Sequence, residues 1–139
     1  FYSFAESLSS TNGKAWSCDI RDARNTAYSD KFPQICHFVR GTSETLSSEL
    51  KKQKDKIDMF FIDGGHSKGD VVKDISNLKE HQSESPIWVF DDYDTRFEIY
   101  EEIKEIENLH QNSIRINQGT DREEGRAPNH MLIVWGKMK

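Results

Sequence analysis

The sequence predicts an α/β fold in which a doubly wound, mainly parallel sheet carries helices on both faces. Apolar runs of strand length alternate with longer amphipathic segments along most of the chain, and this alternation is typical of parallel sheets. Two of the runs, residues 57–62 and 87–90, are almost wholly apolar, as expected for strands that are covered on both faces. The chain closes with two strand-like runs around an irregular loop, and we expect a C-terminal antiparallel strand.

The first half of the chain is predicted to contain two helices and three strands. Leu46 and Leu50 share one face of a helix, and Thr42 or Ser43 is a suitable N-cap for it. Gly13 is a natural stop for the helix that precedes the first strand. The predicted helices cover residues 1–10 and 42–54, and the predicted strands cover residues 15–19, 35–39 and 57–62.

The second half is predicted to contain two further helices and three strands. Val71, Ile75 and Leu78 recur one turn apart, which indicates a helix. The predicted helices cover residues 70–82 and 97–110, and the predicted strands cover residues 87–90, 113–118 and 131–135. The charged loop 119–129 is long enough to be functional, and we expect it to be mobile and to help select the substrate.

Length and composition bound the class of protein. A chain of 139 residues predicts a single domain over residues 1–139. The net charge of −5 argues against a nucleic-acid partner, which would require a basic face. There is no apolar run of about 20 residues and no basic leader, so we expect no membrane segment and a cytoplasmic location. Cys18 and Cys36 are predicted to be buried thiols in a reducing compartment.

Acidic residues follow two of the predicted strands directly. Asp63 comes after the run 57–62, and Asp91 and Asp92 come after the run 87–90. Ligands of parallel sheets bind beyond the carboxyl ends of the strands, and carboxylate oxygens are the ligands that Mg²⁺ and Ca²⁺ prefer. We therefore predict one site for a hard cation, preferably Mg²⁺. The alternative is that these acids cap helices or turns.

A histidine lies close to the first of these acids. His66 follows Asp63 through two glycines, which let the backbone turn tightly. An imidazole suits proton abstraction at neutral pH, so His66 is the candidate base; the alternative is a cap for the helix that begins after it. The sequence contains no P-loop, no G-x-G-x-x-G turn and no G-x-S-x-G elbow.

A further acid ends the predicted strand 15–19. An acid at the end of the second strand of such a sheet often accepts hydrogen bonds from ribose hydroxyls, which makes Asp19 a candidate ribose ligand. A cap for a helix after Arg21 is an equally good interpretation. Gly41 and Gly119 also fall just after strand ends, and we expect them on the same edge of the sheet.

Three segments carry a family resemblance. Residues 58–93, DMFFIDGGHSKGDVVKDISNLKEHQSESPIWVFDDY, resemble class I S-adenosylmethionine-dependent methyltransferases of the branch with D-G-x-H-S after the fourth strand and D-D-Y after the fifth. Residues 12–20, NGKAWSCDI, resemble the second strand of that family with its ribose-binding acid, and residues 37–43, HFVRGTS, resemble the third strand and its turn. The resemblance implies a Rossmann-like methyltransferase fold.

The resemblance also implies roles for the acids and the histidine. In metal-dependent members, the acid after the fourth strand and two residues after the fifth hold Mg²⁺, and the matching residues are Asp63, Asp91 and Asp92. In several members a base three residues after the first metal acid takes the proton of the acceptor hydroxyl. The matching residue is His66.

S-adenosylmethionine is the implied cofactor. Asp19 and Ile20 correspond to its ribose site, and the region of Gly41, Thr42 and Ser43 borders its adenine. The family's first strand and glycine turn have no counterpart here, so we expect the chain to be N-terminally incomplete, with Ser3 as the last trace of that turn. The remaining predicted cofactor-binding residues are Asp63 and Gly64.

These observations predict a methyltransferase that methylates a hydroxyl group of a small molecule or sugar with the help of a metal. No nucleic-acid or membrane partner is expected, and the oligomeric state is left open, with a homodimer among the options. The main alternative is a catalytically inactive methyltransferase-like domain that serves in binding or interaction. A third interpretation is a metal-dependent hydrolase that uses the same acids and histidine.

Overall fold

The computed structural model describes residues 6–22, 31–117 and 130–139. The chain forms two compact units, residues 1–54 and residues 55–139, and each is described by itself. The described part of the predicted N-terminal helix is helical over residues 6–8. The predicted loop 119–129 lies outside the described residues. Among the described residues, no helix has the length and apolar character needed to cross a membrane.

The first unit is built on a pair of parallel strands. Strand β1 (Ala15–Asp19) pairs with strand β2 (Cys36–Arg40), and helix α1 (Ser43–Gln53) packs on both. Leu46 and Leu50 are buried, as their helical spacing predicts. Thr42 occupies the N-cap position, but its side chain makes no capping hydrogen bond.

The two cysteines lie on opposite faces of this strand pair. Cys18 is opposite Val39 and Cys36 is opposite Ala15, and side chains alternate between faces along a strand. Neither cysteine forms a disulfide, and both are half-buried rather than fully buried. Burial still raises the pKa of the Cys36 thiol.

The second unit is a four-stranded sheet with helices. Its strands lie in the order β3-β4-β6-β5, with β3 parallel to β4 and with β6 antiparallel to both β4 and β5. The α/β class and the C-terminal antiparallel strand are thus confirmed. The elements are β3 (Ile57–Ile62), α2 (Asp70–Leu78), a 3₁₀ turn (Lys79–His81), β4 (Gln82–Phe90), α3 (Tyr100–Leu109), β5 (Ser113–Asn117) and β6 (His130–Trp135).

The two faces of this sheet differ in burial. One face supplies most of the core, together with apolar residues from α2, α3 and the turn before α3. Its buried residues are Phe60, Ile62, Trp88, Phe90, Leu132 and Val134, joined by Val71, Leu78, Ile99 and Ile103. On the other face, Met59, Phe61, Ile114, Ile116 and Trp135 are exposed. The prediction that β3 is covered on both faces is therefore wrong, whereas Val89 of β4 is buried.

Three element bounds differ by several residues from the predicted ones. Helix α2 ends at Leu78, and β4 begins at Gln82, where the Gln82 side chain accepts hydrogen bonds from Trp88 Nε1 and from the Met138 backbone N–H. Helix α3 begins at Tyr100 instead of residue 97. The preceding residues form a turn in which the Phe97 N–H donates to the carbonyl oxygen of Asp94.

Candidate active site

The end of β3 leads into a glycine-rich loop, residues 63–69, that is mostly exposed. At Gly65, a Cβ atom would lie only 2.1 Å from Oδ2 of Asp70. That oxygen accepts a hydrogen bond from the Ser67 N–H at 3.0 Å. Glycine is therefore needed for the close approach between this loop and the first turn of α2.

The end of β4 lies beside the end of β3, as expected for neighbouring parallel strands. The Asp91 N–H donates to the carbonyl oxygen of Ile62 at 3.0 Å, which joins the two strand ends. Asp92 has a left-handed backbone (φ 54), and its N–H donates to Oδ1 of Asp91 at 2.8 Å. This turn directs the two successive acids differently.

Three side chains from the two strand ends converge. Asp63, His66 and Asp92 each offer a ligand atom within 4.8 Å of the others. Nε2 of His66 lies 2.7 Å from Oδ2 of Asp92, and the imidazole is 43% exposed while the Asp92 side chain is 19% exposed. The His66 ring also contacts the Phe97 ring, with centroids 4.3 Å apart. The histidine is thus held between an acid and an aromatic ring, with one side open to solvent.

The electrostatics of this cluster suit a cation. Burial raises the pKa of Asp63 above its usual value, the charges of Asp91 and Asp92 raise it further, and His66 lowers it. Mutual repulsion among carboxylates is relieved when a positive ion binds between them. The donor set of carboxylate oxygens with one imidazole therefore fits a divalent metal. The described group of three contains Asp63 and Asp92 of the predicted ligands, and Asp91 lies next to it as the acceptor for the Asp92 N–H.

Behind Asp92, the β4 end is tied to α3 and β5. The Tyr93 hydroxyl donates to Oε2 of Glu107 at 2.7 Å, and Arg115 donates to both groups. Hydrogen bonding to Arg115 lowers the pKa of Glu107, and burial raises the pKa of Tyr93. Sequence reasoning missed these residues, because nothing in the spacing of three such distant positions marks them as partners.

A second ion pair holds the next residue of the same segment. Asp94 is buried, and it accepts hydrogen bonds from the backbone N–H, Nε and NH2 group of Arg96. These bonds lower the pKa of the Asp94 carboxyl. An acid two residues before an arginine, in the segment between a predicted strand and a predicted helix, is the signal that would have indicated this pair.

The predicted cofactor residues of the first unit lie at the ends of β1 and β2. The Gly41 N–H donates to the carbonyl oxygen of Asp19 at 2.9 Å, so these two strand ends are adjacent. Oδ1 of Asp19 accepts the Arg21 N–H at 2.8 Å. The alternative given above, a cap for a helix after Arg21, is not tested because residues 23–30 lie outside the described residues. Ile20 is exposed and Ser43 is buried. Thr42 is the N-cap residue of α1, and Ser3 lies outside the described residues.

Gly41 is also constrained by its surroundings. Its φ is +149, and a Cβ atom there would lie 2.6 Å from Oγ1 of Thr45. The strand β2 therefore passes into α1 through a turn that only glycine accommodates without strain. In the second unit, Gly64 is exposed, and a Cβ there would approach Oδ2 of Asp74 to 3.0 Å.

Comparison with known proteins identifies one family. A family model described as a methyltransferase domain matches residues 1–93 of the chain. A search of curated proteins found no match.

Solved structures share the fold. An rRNA methylase from Streptococcus thermophilus has a TM-score of 0.58 at 12% identity, with 91% of this chain and 74% of that chain covered. The MycE methyltransferase of the mycinamycin biosynthetic pathway, solved in complex with Mg and SAH, has a TM-score of 0.55 at 15% identity, with 90% of this chain and 38% of that chain covered. The chain thus has a methyltransferase-like α/β fold.

Proposed function

Since the chain belongs to the methyltransferase domain family, we propose that it transfers a methyl group from S-adenosylmethionine to a hydroxyl group of a small molecule. A divalent cation, preferably Mg²⁺, would bind at the acidic ends of β3 and β4. The family match and the methyltransferase neighbours support the S-adenosylmethionine-dependent class. The choice of a hydroxyl acceptor and of a metal depends on the side chains at the two strand ends.

The observation that carries this proposal is the convergence of Asp63, His66 and Asp92, whose ligand atoms lie within 4.8 Å of one another. A carboxylate from each strand end would supply hard oxygen ligands, and Asp91, next to this group, is proposed as a further metal ligand. A bound Mg²⁺ would act as a Lewis acid that lowers the pKa of an acceptor hydroxyl. The imidazole beside the acids is then basic enough to accept the proton.

His66 is the proposed general base. The 2.7 Å contact between its Nε2 and Oδ2 of Asp92 favours the tautomer with the proton on Nε2, which leaves Nδ1 as the basic nitrogen. With S-adenosylmethionine bound, the acceptor oxygen would displace the methyl carbon from the cofactor's sulfur, which would be left as a neutral thioether. The hydroxyl proton would pass to His66.

The proposed cofactor residues are those of the strand ends. In the first unit, Asp19 and Ile20 are proposed to contact the ribose, and residues 41–43 to border the adenine. Gly64, Asp63 and Ser3 remain proposed cofactor contacts from the family resemblance. The exposure of Asp19 and Ile20 supports their availability to a ligand.

The acceptor class follows from charge. The net charge of −5 and the acids at the β3 and β4 ends oppose the phosphates of a nucleic acid, so a neutral hydroxyl compound such as a sugar or phenol is favoured. The mycinamycin-pathway neighbour was solved with Mg, which supports a metal-assisted reaction on this fold. Another neighbour is an rRNA methylase, so the test must distinguish methylation of RNA from methylation of a small molecule.

Binding measurements with defined probes test the proposal before any acceptor is known. Calorimetry should detect binding of S-adenosylmethionine, and Mn²⁺, used as a spectroscopic substitute for Mg²⁺, should bind the wild type. The variants Asp63→Asn and Asp92→Asn should lose Mn²⁺ binding, whereas Asp58→Asn, an exposed acid on β3, should retain it. Methyl transfer would then be measured against panels of sugars, phenols and rRNA fragments.

Each failure has a distinct meaning. Absence of binding of both probes to the wild type would favour the inactive interaction domain. Cofactor binding without Mn²⁺ binding would remove the metal from the mechanism, and methylation of RNA alone would overturn the small-molecule acceptor. Full methyl-transfer activity in His66→Ala would rule out His66 as the general base.

A further inference from the structure

Three successive backbone N–H groups in the histidine loop donate to carboxylates. The Ser67 N–H donates to Asp70, the Lys68 N–H donates to Oε2 of Glu98 at 3.1 Å, and the Gly69 N–H donates to Oε1 of Glu102. The first acceptor is local, but the other two lie 30 and 33 residues further along the chain. One side chain from the turn before α3 and one from the first turn of α3 therefore hold the loop that carries His66.

These bonds form where α2 begins. The first N–H groups of a helix have no partner within the helix, and they lie at the positive end of its dipole, where a carboxylate is favourable. Glu102 depends on this environment, because its second oxygen, Oε2, is buried without a hydrogen-bond partner among the described residues. The Gly69 N–H and the helix terminus thus compensate a charge that would otherwise be costly to bury.

The loop needs an external anchor because its own backbone is permissive. It contains glycines at 64, 65 and 69, and Gly69 has φ +94. Glycine adopts more backbone conformations than any other residue, so a loop of this composition does not fix the direction of an imidazole by itself. The same segment that supplies the carboxylates also supplies Phe97, whose ring contacts His66.

We propose that Glu98 and Glu102 are positioning residues that hold His66 against Asp92 and Phe97. This inference rests on the proposed function, because it assigns these acids a role toward the metal and base site. Lys68 and Gly69 are exposed residues, so water can solvate their backbone amides when the carboxylates are removed. Loss of the anchors should therefore disturb the placement of His66 more than the folding of the chain.

The test compares two double variants of the full chain that remove equal charge. Glu98→Ala/Glu102→Ala removes both anchors. Glu101→Ala/Glu105→Ala removes two exposed acids from the same helix, one of which pairs with Lys104 on that helix. A third variant, Glu98→Gln/Glu102→Gln, keeps an oxygen acceptor at each anchor position and guards against misfolding of the alanine pair.

The readouts are the nuclear Overhauser contact between the His66 and Phe97 rings, the amide resonances of Lys68 and Gly69, and Mn²⁺ affinity. The anchor pair should lose the ring contact and shift both amides. It should also weaken Mn²⁺ binding by roughly tenfold, the lower end of the effect typical of residues that orient metal ligands, because the loop that the anchors hold begins with the proposed metal ligand Asp63. The glutamine pair should recover most of the ring contact. The control pair should keep the ring contact and change Mn²⁺ affinity less.

The outcomes separate this inference from the proposed function. An unchanged ring contact and unchanged amides in the anchor pair would overturn the positioning role, even if Mn²⁺ binds the wild type. Equal effects of the anchor and control pairs would mean that the loss of negative charge, and not the loss of the anchor contacts, causes them. That result would also overturn the positioning role. If the wild type does not bind Mn²⁺, the metal proposal fails, while the ring contact and the amides still decide whether the anchors place His66.

Discussion

The two strand ends that form the candidate site are built in different ways. The end of β3 continues into a mostly exposed loop with three glycines, and its residues are held largely by backbone hydrogen bonds to carboxylates. The end of β4 continues into Tyr93 and Asp94, both buried and both joined to side-chain networks. The β4 end, which carries Asp91 and Asp92, is thus packed, whereas the β3 end, which carries Asp63 and His66, is exposed.

This difference assigns separate physical tasks to the two ends. Asp91 and Asp92 directly precede the packed network of Tyr93 and Asp94, which helps to keep the two acids in position. His66 lies on the loop that Glu98 and Glu102 contact, so its position depends on those contacts. Substitutions of the packed residues after Asp92 should therefore act mainly on stability, and substitutions in the loop after β3 should act mainly on the site.

The largest expected effect is at Tyr93, the residue next to Asp92. Its side chain is 1% exposed, contacts the Tyr100 ring with centroids 5.2 Å apart and lies beneath the Arg115 guanidinium. Tyr93→Ala should lower the free energy of unfolding by about 3–5 kcal/mol, because it leaves a cavity in the packed core. Urea unfolding followed by circular dichroism measures this loss.

Tyr93→Phe is the matched control. It keeps the ring and removes only the hydroxyl that bonds Glu107, so the expected loss is about 1 kcal/mol. Equal losses in the two variants would show that the hydroxyl network, and not ring packing, holds the β4 end.

The next effect in size is at Asp94. Asp94→Ala removes three hydrogen bonds to Arg96, and the arginine side chain, which is 40% exposed, turns to solvent. The expected loss is about 1–3 kcal/mol in the free energy of unfolding. Thr95→Ala, an exposed position in the same turn, should change stability by less than about 0.5 kcal/mol. A loss of unfolding free energy smaller than that of the control would contradict the packed character of the β4 end.

A smaller effect with a defined pH dependence is expected at Glu107. Its pKa is lowered in the folded protein, so its pairing stabilises the fold above the unfolded value of about 4.3 and is lost as the pH falls through the folded value. Glu107→Gln should cost about 1 kcal/mol at neutral pH, since Arg115 is 42% exposed and screened by solvent.

The measurement is the unfolding free energy of wild type and Glu107→Gln between neutral and acidic pH. The difference between the two proteins should shrink below about pH 4 and approach zero at lower pH. Glu105→Gln, exposed on the same helix, serves as control. A difference that grows on acidification would contradict the assigned sign.

The same comparison explains what could be predicted from the sequence. Apolar runs closed by acids located β3, β4 and the residues Asp63, Asp91 and Asp92, because strand pattern and strand ends are local properties. The convergence of Asp63 with Asp92 followed from the parallel pairing that strand–helix alternation implies. These features need no knowledge of side-chain partners.

Features that depend on distant partners could not be predicted. The contacts of Glu98 and Glu102 join segments about 30 residues apart. The apolar residues of β3 did not reveal that Met59 and Phe61 are exposed, since periodicity does not say which face of a wholly apolar strand is covered. The spacing of the glutamates in residues 98–105 gives no sign that two of them contact a loop about 30 residues earlier in the chain.

The smallest expected effect on stability is at His66, and it is the sharpest contrast with Tyr93. The imidazole is 43% exposed and lies on the glycine-containing loop, so His66→Ala removes little buried surface. Its free energy of unfolding should stay within about 0.5 kcal/mol of wild type, while methyl transfer to an accepted substrate should fall by about 10²–10⁴-fold, the range typical of a lost general base. Paired urea unfolding and transfer assays measure both values. A large loss of stability would mean that His66 belongs to the packed part of the site. The contrast between a packed β4 end and an exposed β3 end would then not hold.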